Sequence, residues 1–259
     1  MRLPVLDLAQ PENVRRELLD DDRAVRDEFA RELEPEINAL AEALADCFGR
    51  IPPFREAAAR VATRQSALVD GFVLGVLDDL VVSSKLLLAG KVPAAGNVMR
   101  QVIEGIAMAA MCVSDELLVI ERSKKQGAIR ARYWEKVWDD DNRVQGHRAV
   151  EQLDWNRDVL RFTAEAVDTL RRAKRHYNAF SHCGKVTIAA RAALDVPGVF
   201  YIGGHFEAAK LGGYRAEFVE RTGLCRVLPS LIDHLITDLQ AATEAAPAVA
   251  VAPIPPAQA

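Results

Sequence analysis

The chain has 259 residues, of which 50% are hydrophobic, and a formal net charge of −4 at pH 7. This composition supplies enough apolar side chains for a sizeable core, which excludes a chain that is disordered throughout. The sequence has no stretch of about 18 uncharged apolar residues, and its start, MRLPVLDLAQ, lacks the pattern of a signal peptide, so we expect a cytoplasmic protein without a membrane span.

Residues 13–49 predict an N-terminal helical arm, because apolar side chains recur there at helical spacing between Asp, Glu and Arg. Pro35 lacks a backbone donor, so we expect either a kink or two helices that meet at Glu34. The arm either covers one side of the core or serves in dimerisation.

Residues 54–113 predict a hairpin of two long helices. The first part contains good helix formers without a breaker, which favours one helix of about 35 residues. Gly90 is expected to end it in the left-handed conformation, and Pro93 suits the first turn of the second helix. The stretch 105–113 carries no charge on any face, which is typical of a helix in the centre of a bundle.

A polar stripe marks the first half of this second helix, and it consists of Asn97, Arg100, Gln101 and Glu104. The stripe is either a solvated edge or the wall of a polar pocket. A charge on a mostly buried helix needs a partner, so we expect Arg100 and Glu104 to form a pair.

The next segments predict a helix and then a loop. Residues 115–138 are expected to form a third long helix, which Ser114 caps. Residues 139–152 are charged and aperiodic, which indicates a loop, either a plain surface loop or a lid.

The pattern of residues 156–183 predicts a helix, and one face of this helix is polar and basic. Arg171, Arg175, Asn178 and His182 follow at steps of four, three and four, so they form one column if the helix persists to His182. The segment is also basic, because residues 157–191 contain eight Lys or Arg against three Asp or Glu.

The C-terminal part predicts a closing helix. The stretches KVTI and VFYI have strand-like content, and they suggest a small β-hairpin within residues 185–203. Residues 214–243 predict the closing helix, with a kink at Pro229. Residues 246–259 are uncharged and rich in Pro and Ala, which predicts a disordered tail. We therefore expect an all-α fold in which residues 1–245 form a single bundle of about six or seven helices.

The sequence lacks the commonest metal and nucleotide signatures, since it contains no HExxH, GxxxxGK[ST] or GxSxG motif and no GxGxxG after a strand. We predict neither a metal nor a cofactor. Ser181 and Cys183 flank a histidine, but neighbouring side chains on a helix point in different directions, which disfavours a nucleophile there.

Arg175 and His182 are the catalytic candidates. On one helix they would share a face about 10 Å apart, a separation that suits a phosphodiester. A histidine takes a proton from a ribose hydroxyl, and a guanidinium stabilises charge on the phosphorus oxygens. Arg171 and Lys174 are the candidates for RNA phosphate contacts. Arg171 before His176 is a second Arg–His match, and in the alternative interpretation His182 caps a helix and the arginines are solvated.

The segments LLAGKVPAAGNVMRQVIE and YNAFSHCG resemble the HEPN superfamily, in particular an uncharacterised bacterial branch related to abortive-infection proteins. That branch has a helix pair of the form LL.G....A..L.R...E, followed by a [ST]H.G-like segment. The resemblance implies a dimeric, metal-independent endoribonuclease with Arg175 and His182 as its catalytic residues. It matches the branch's Arg and Glu to Arg100 and Glu104, and it makes His176 the polar neighbour.

Asn178 and Ser181 complete the predicted supporting set, and we expect the Arg100–Glu104 pair to lie near His182. The resemblance also implies a homodimer that targets RNA in stress or defence. The alternative function is a non-catalytic helical interaction module, which would use the same polar surface to bind a protein partner.

Overall fold

A computed structural model describes residues 7–123 and 127–245 of the chain. These residues are mostly helical with one small antiparallel sheet, which confirms the predominantly α-helical class. They contain more helices than the six or seven expected, because several predicted helices are divided. The N-terminal arm consists of α1 Pro11–Leu18, α2 Arg23–Glu32 and α3 Glu34–Gly49. The predicted tail 246–259 lies outside the described residues.

The predicted long helix after residue 54 is divided into α4, Ile51–Val61, and α5, Arg64–Leu88. Ala62 ends α4 in the left-handed conformation, with φ of 50°. Thr63 then begins α5, because its hydroxyl accepts from the Ser66 amide at 3.2 Å while the Ser66 hydroxyl accepts from the Thr63 amide at 3.0 Å. This reciprocal capping box overrides the helix propensity of the surrounding residues.

The next helix, α6, spans Val92–Cys112 and forms the centre of the core. Gly90 makes the turn before it with φ of +70°, as expected, and a Cβ atom there would lie 2.2 Å from the His205 carbonyl oxygen. Residues 106–113 are buried, in agreement with the uncharged sequence of this stretch.

A β-hairpin replaces most of the helix predicted over residues 115–138. Its strands are β1 Leu117–Ser123 and β2 Gly127–Arg132, and among the described residues of this range Tyr133–Trp138 form the helix α7. The prediction was wrong because Leu118, Val119 and Ile120 are buried as part of a strand. Asn156 supports it, since its side-chain amide accepts from the Val119 amide at 2.7 Å and donates to the Val119 carbonyl at 2.9 Å.

The loop predicted over residues 139–152 is also partly wrong, because α8 spans Gly146–Asn156. Its buried face combines the apolar residues Ala149, Val150 and Leu153 with two amides, Gln152 and Asn156. Gln152 is 0% exposed and donates to the carbonyl of Ile120 at 2.7 Å, so the buried amides satisfy backbone groups of the strand.

The helix predicted over residues 156–183 is shorter at both ends and becomes α9, Ala164–Asn178. Thr163 caps it by accepting from the Ala166 amide at 3.2 Å. Asn156 belongs to α8 instead of opening this helix.

The hairpin predicted within residues 185–203 is wrong, because KVTI begins α10, Lys185–Arg191. The Thr187 hydroxyl accepts from the Gly184 amide at 3.0 Å, which favours a helix start over a strand. What remains of the hairpin in the described chain is one bridge between Ala192 and Phe200.

The closing helix is α11, Leu211–Ala245, with Pro229 in its interior. It packs on α3, α4 and α5, while α6 contacts α5 and α7 to α10. Core side chains from Phe29 to Leu239 form one connected cluster. No helix in the described residues is long and apolar enough to cross a membrane.

Candidate functional site

The predicted catalytic pair does not lie on one helix. Ser181 follows the end of α9 in a turn, where its amide and hydroxyl donate to the Asn178 carbonyl at 3.3 and 2.9 Å. The step from Asn178 to His182 is therefore not helical. His182 is exposed beyond the helix, and no hydrogen bond or ion pair in the described chain joins it to Arg175.

The basic residues of α9 differ in how far their charge is neutralised. Arg171 Nη2 lies 2.7 Å from Asp154 Oδ2 on α8, and a carboxylate of its own helix contacts Nη1. Lys174 donates to the carbonyl of His147. Arg175 is exposed and has no ion-pair partner among the described residues. The two residues predicted to contact RNA thus hold α8 against α9, and Arg175 is the freer cation.

Arg100 and Glu104 form the expected ion pair, with 3.2 Å between Nε and Oε1, although the two atoms are not aligned as a hydrogen bond. Glu104 lies against α8, because a Cβ atom on Gly146 would lie 3.0 Å from Glu104 Oε2. Burial lowers the pKa of Lys174. The Glu104 carboxylate raises this pKa, whereas the Arg100 charge lowers it. The pair therefore lies against Gly146 and acts electrostatically on Lys174, and no hydrogen bond or ion pair among the described residues joins it to His182.

A fully buried arginine on α11 is the centre of a second polar network. The Arg221 side chain is 0% exposed, and its Nε and Nη2 donate to the Ser83 hydroxyl at 3.2 and 2.9 Å. Its Nη1 donates to Glu217 Oε2 at 2.7 Å. Ser83 donates to the Ala95 carbonyl at 2.8 Å. The network thus joins α5, α6 and α11 at one buried point.

His176 on α9 binds the other oxygen of the same carboxylate. Its Nε2 lies 2.8 Å from Glu217 Oε1, and 49% of its side chain is exposed. The hydrogen bond to Glu217 raises the pKa of His176, although burial opposes it. Burial alone would raise the pKa of Glu217, but the hydrogen bond from His176 and the charge of Arg221 lower it. When the ring is neutral, Nε2 carries the proton toward the carboxylate and Nδ1 is the free acceptor.

His176 lines a groove of about 430 Å³ between α9 and α11. Arg172 lines it on the α9 side, one helical turn before His176. Glu220 lines it on the α11 side together with two valines, Val219 and Val227, which are 61% and 54% exposed. The groove therefore combines a carboxylate-bound imidazole, a guanidinium, the exposed carboxylate of Glu220 and an apolar edge.

This arrangement suits proton transfer next to an anion. A carboxylate bound to one imidazole nitrogen orients the ring and stabilises the imidazolium that forms when the other nitrogen takes a proton. Arg172 donates to the Thr169 hydroxyl at 3.1 Å, and it has no carboxylate partner in the described chain. Its charge is therefore available to a phosphate.

Sequence reasoning missed Glu217, Arg221 and Ser83. The first two are four residues apart and border Phe218, which is 1% exposed in the apolar stripe of α11. Opposite charges at this spacing beside an apolar stripe are a usable signal for a buried pair. Ser83 carried no signal, because its role comes from how α5 packs against α11.

Among the described residues, no group of three or more His, Cys, Asp or Glu is placed to hold a metal ion. Comparisons with known protein families, with curated proteins and with solved structures found no match.

Proposed function

We propose that this protein is a HEPN-like stress or defence protein that binds RNA and cleaves it without a metal ion in the groove between α9 and α11. The observation that carries the proposal is the 2.8 Å contact between His176 and Glu217. It orients an imidazole at the groove and raises its pKa, two properties that suit a residue accepting a proton.

The proposal assigns the general base to His176 instead of His182. His176 is oriented by a carboxylate and shares the groove with Arg172, whereas His182 follows the end of α9 and has no described partner. Arg175, which is exposed on the same helix, is assigned to binding the RNA backbone beside the groove.

The chemistry requires only these side chains. His176 Nδ1 takes the proton of a ribose 2′-hydroxyl, the oxygen bonds to the adjacent phosphorus, and the bond from phosphorus to the 5′-oxygen breaks. The leaving oxygen receives a proton from the imidazolium, which gives a 2′,3′-cyclic phosphate and a 5′-hydroxyl. Arg172 stabilises the charge that develops on the phosphorus oxygens.

The test is cleavage of a labelled RNA in EDTA by the parent and by His176→Ala, with His147→Ala as the matched control. His147 is also an exposed histidine, and only its backbone carbonyl has a described contact. We expect His176→Ala to lower the rate at least about 100-fold, the usual contribution of a general base, and His147→Ala to cleave like the parent.

Two further variants, His182→Ala and Arg175→Ala, separate the assignments. Loss of cleavage in His182→Ala with full activity in His176→Ala would return the base to His182. A parent protein that leaves RNA intact in EDTA and in magnesium would refute the ribonuclease.

A non-catalytic interaction module is the second candidate, and the exposed valines of the groove favour it. Val219 and Val227 present an apolar edge on α11, and we assign it to a second copy of this chain. Val219→Asp would then shift the mass in light scattering from dimer to monomer without changing the helical circular dichroism. A parent that is monomeric at micromolar concentration would refute this dimer.

A further inference from the structure

A second pocket lies on the other side of α6, at the turn between α5 and α6, and its volume is about 280 Å³. The beginning of α6, the end of α10 and the segment 201–205 form its walls. This volume is just below the usual range of small-molecule sites, which begins near 300 Å³. The pocket therefore suits a small molecule.

Two cations, Lys91 and Arg191, line this pocket, and the Glu17 carboxylate lies against the lining residue Gly203. Lys91 is paired, with 2.6 Å from its Nζ to Asp22 Oδ2. Arg191 donates to the Thr187 carbonyl at 3.2 Å and has no carboxylate partner in the described chain, so its charge is available. The N-terminal end of α6 adds a dipole that favours an anion.

A buried histidine in this pocket has one nitrogen to spare. His205 is 5% exposed, and its Nε2 lies 3.0 Å from Lys210 Nζ. Because an ammonium group only donates, Nε2 accepts and the proton of the neutral ring must be on Nδ1. Burial and the charge of Lys210 lower the pKa of His205 to about 4, so the ring is neutral near pH 7. Nδ1 has no partner in the described chain, which leaves an N–H donor on a side chain that lines the pocket.

An aromatic wall completes the pocket. The Tyr201 ring stacks on His205 with 3.8 Å between centroids and 15° between planes, and it also lines the pocket. Lys210 joins this wall to the end of α10. Its Nζ contacts His205 Nε2, and it also donates to the carbonyls of Ala190 and Ala192 at 3.1 and 2.6 Å. The His205 ring, which is 5% exposed, is thus held by Lys210 and Tyr201, whereas Arg191 is exposed at the pocket.

We propose that this pocket binds a small phosphorylated molecule, whose phosphate contacts Arg191, Lys91 and the His205 Nδ1–H while its organic part lies against Tyr201. Charge-assisted hydrogen bonds from a guanidinium are the strongest phosphate contacts available to a protein, so Arg191 dominates the affinity. The proposal is independent of the ribonuclease assignment, because the pocket shares no lining residue with the groove between α9 and α11.

The experiment is isothermal titration of the full chain with inorganic phosphate, with AMP and with adenosine. We expect phosphate and AMP to bind and adenosine not to bind. Tighter binding of AMP than of phosphate would identify a phosphorylated organic ligand, and equal binding would identify free phosphate. Binding of adenosine alone, or of none of the three, would overturn the proposal.

Variants locate the binding. Arg191→Gln should raise the Kd for AMP at least about tenfold, because it removes a charged hydrogen bond. Lys185→Gln is the matched control, since it removes the same charge from an exposed position of α10 outside the pocket and should leave the Kd unchanged. Ring ¹⁵N signals of His205 in the parent should shift on addition of phosphate. Signals that stay fixed, or equal losses in both variants, would place the anion elsewhere.

Discussion

Replacing Glu217 with glutamine removes the carboxylate that lies between Arg221 and His176. The substitution keeps the shape of the side chain but leaves the guanidinium of Arg221, which is 0% exposed, without a negative partner. Glutamine also cannot bind both partners as the carboxylate does, at 2.7 Å to Arg221 and 2.8 Å to His176, because one of its two terminal groups is a donor.

The expected cost follows from this burial. Breaking a buried ion pair from one side typically costs about 3 to 5 kcal/mol, because the remaining charge stays desolvated. Arg221 keeps its hydrogen bonds to Ser83 and to the Glu217 carbonyl, so we expect the low end, about 3 kcal/mol. In a chain of this size that corresponds to a fall of about 6 to 12 °C in Tm.

The assay is urea unfolding at pH 7, with Glu220→Gln as the control. Glu220 is exposed on the same helix, so its replacement should change the free energy of unfolding by no more than about 0.5 kcal/mol. The double variant Glu217→Gln with Arg221→Met should recover most of the loss, because replacing both members of a buried pair is often nearly neutral. If Glu217→Gln unfolds within about 0.5 kcal/mol of the parent while Arg221→Met is strongly destabilised, the carboxylate does not stabilise the buried charge.

The raised pKa of His176 predicts a pH-dependent stability, because the charged ring gains Glu217 as a partner only in the folded state. This contribution is fully present below the unfolded pKa of about 6.5 and is lost as the pH rises through the folded pKa, so His176→Gln should lose more unfolding free energy at about pH 5 than at about pH 9. Equal losses at both pH values would contradict the assignment. Gly90→Ala should cost at least about 2 kcal/mol in urea unfolding, because φ is +70° and the added Cβ would lie 2.2 Å from the His205 carbonyl oxygen. Gly212→Ala, which meets nothing within 4 Å, should be neutral or stabilising, and an equal effect at both glycines would contradict the steric argument.

The parts of the fold that the sequence predicted correctly are those in which one segment determines its own structure. The uncharged stretch 106–113 is buried whatever packs around it, and the turn at Gly90 follows from a local glycine. The closing helix also agrees, because its apolar stripe is long enough to outweigh Pro229. In each case the pattern within about 20 residues contains the information.

The hairpin of β1 and β2 shows why other parts of the fold could not be predicted from the sequence. A single sequence places LLVI equally well in a helix or in a strand, and the deciding hydrogen bonds come from Gln152 and Asn156, more than 30 residues later. Gln152 in turn was predicted to lie in a loop because its segment is charged and aperiodic, and Asn156 was predicted to open the next helix. The two errors are linked, because the backbone groups of the buried strand and the buried amides of α8 satisfy each other's hydrogen bonds.

The candidate site depends on the same kind of long-range information. The sequence placed a basic column along one helix, but α9 ends at Asn178, and the charges around it come from other elements. Asp154 on α8 approaches Arg171, and Glu217 on α11 approaches His176. A carboxylate from a distant segment thus orients one histidine ring of the basic segment, which no spacing rule within α9 reveals.

Ion pairs with distant segments also reduce the number of basic side chains that are available to RNA phosphates. Residues 157–191 have an excess of basic side chains in the sequence, but Arg161 pairs with Asp238 and Arg171 with Asp154 once the chain has folded. The described chain therefore has fewer cations without a carboxylate partner than the sequence suggests. On α9 these cations include Arg172 and Arg175. Because counterion release scales with the number of free cations that meet phosphates, the RNA affinity that we propose would depend on a few arginines of this segment and not on the net charge of the helix.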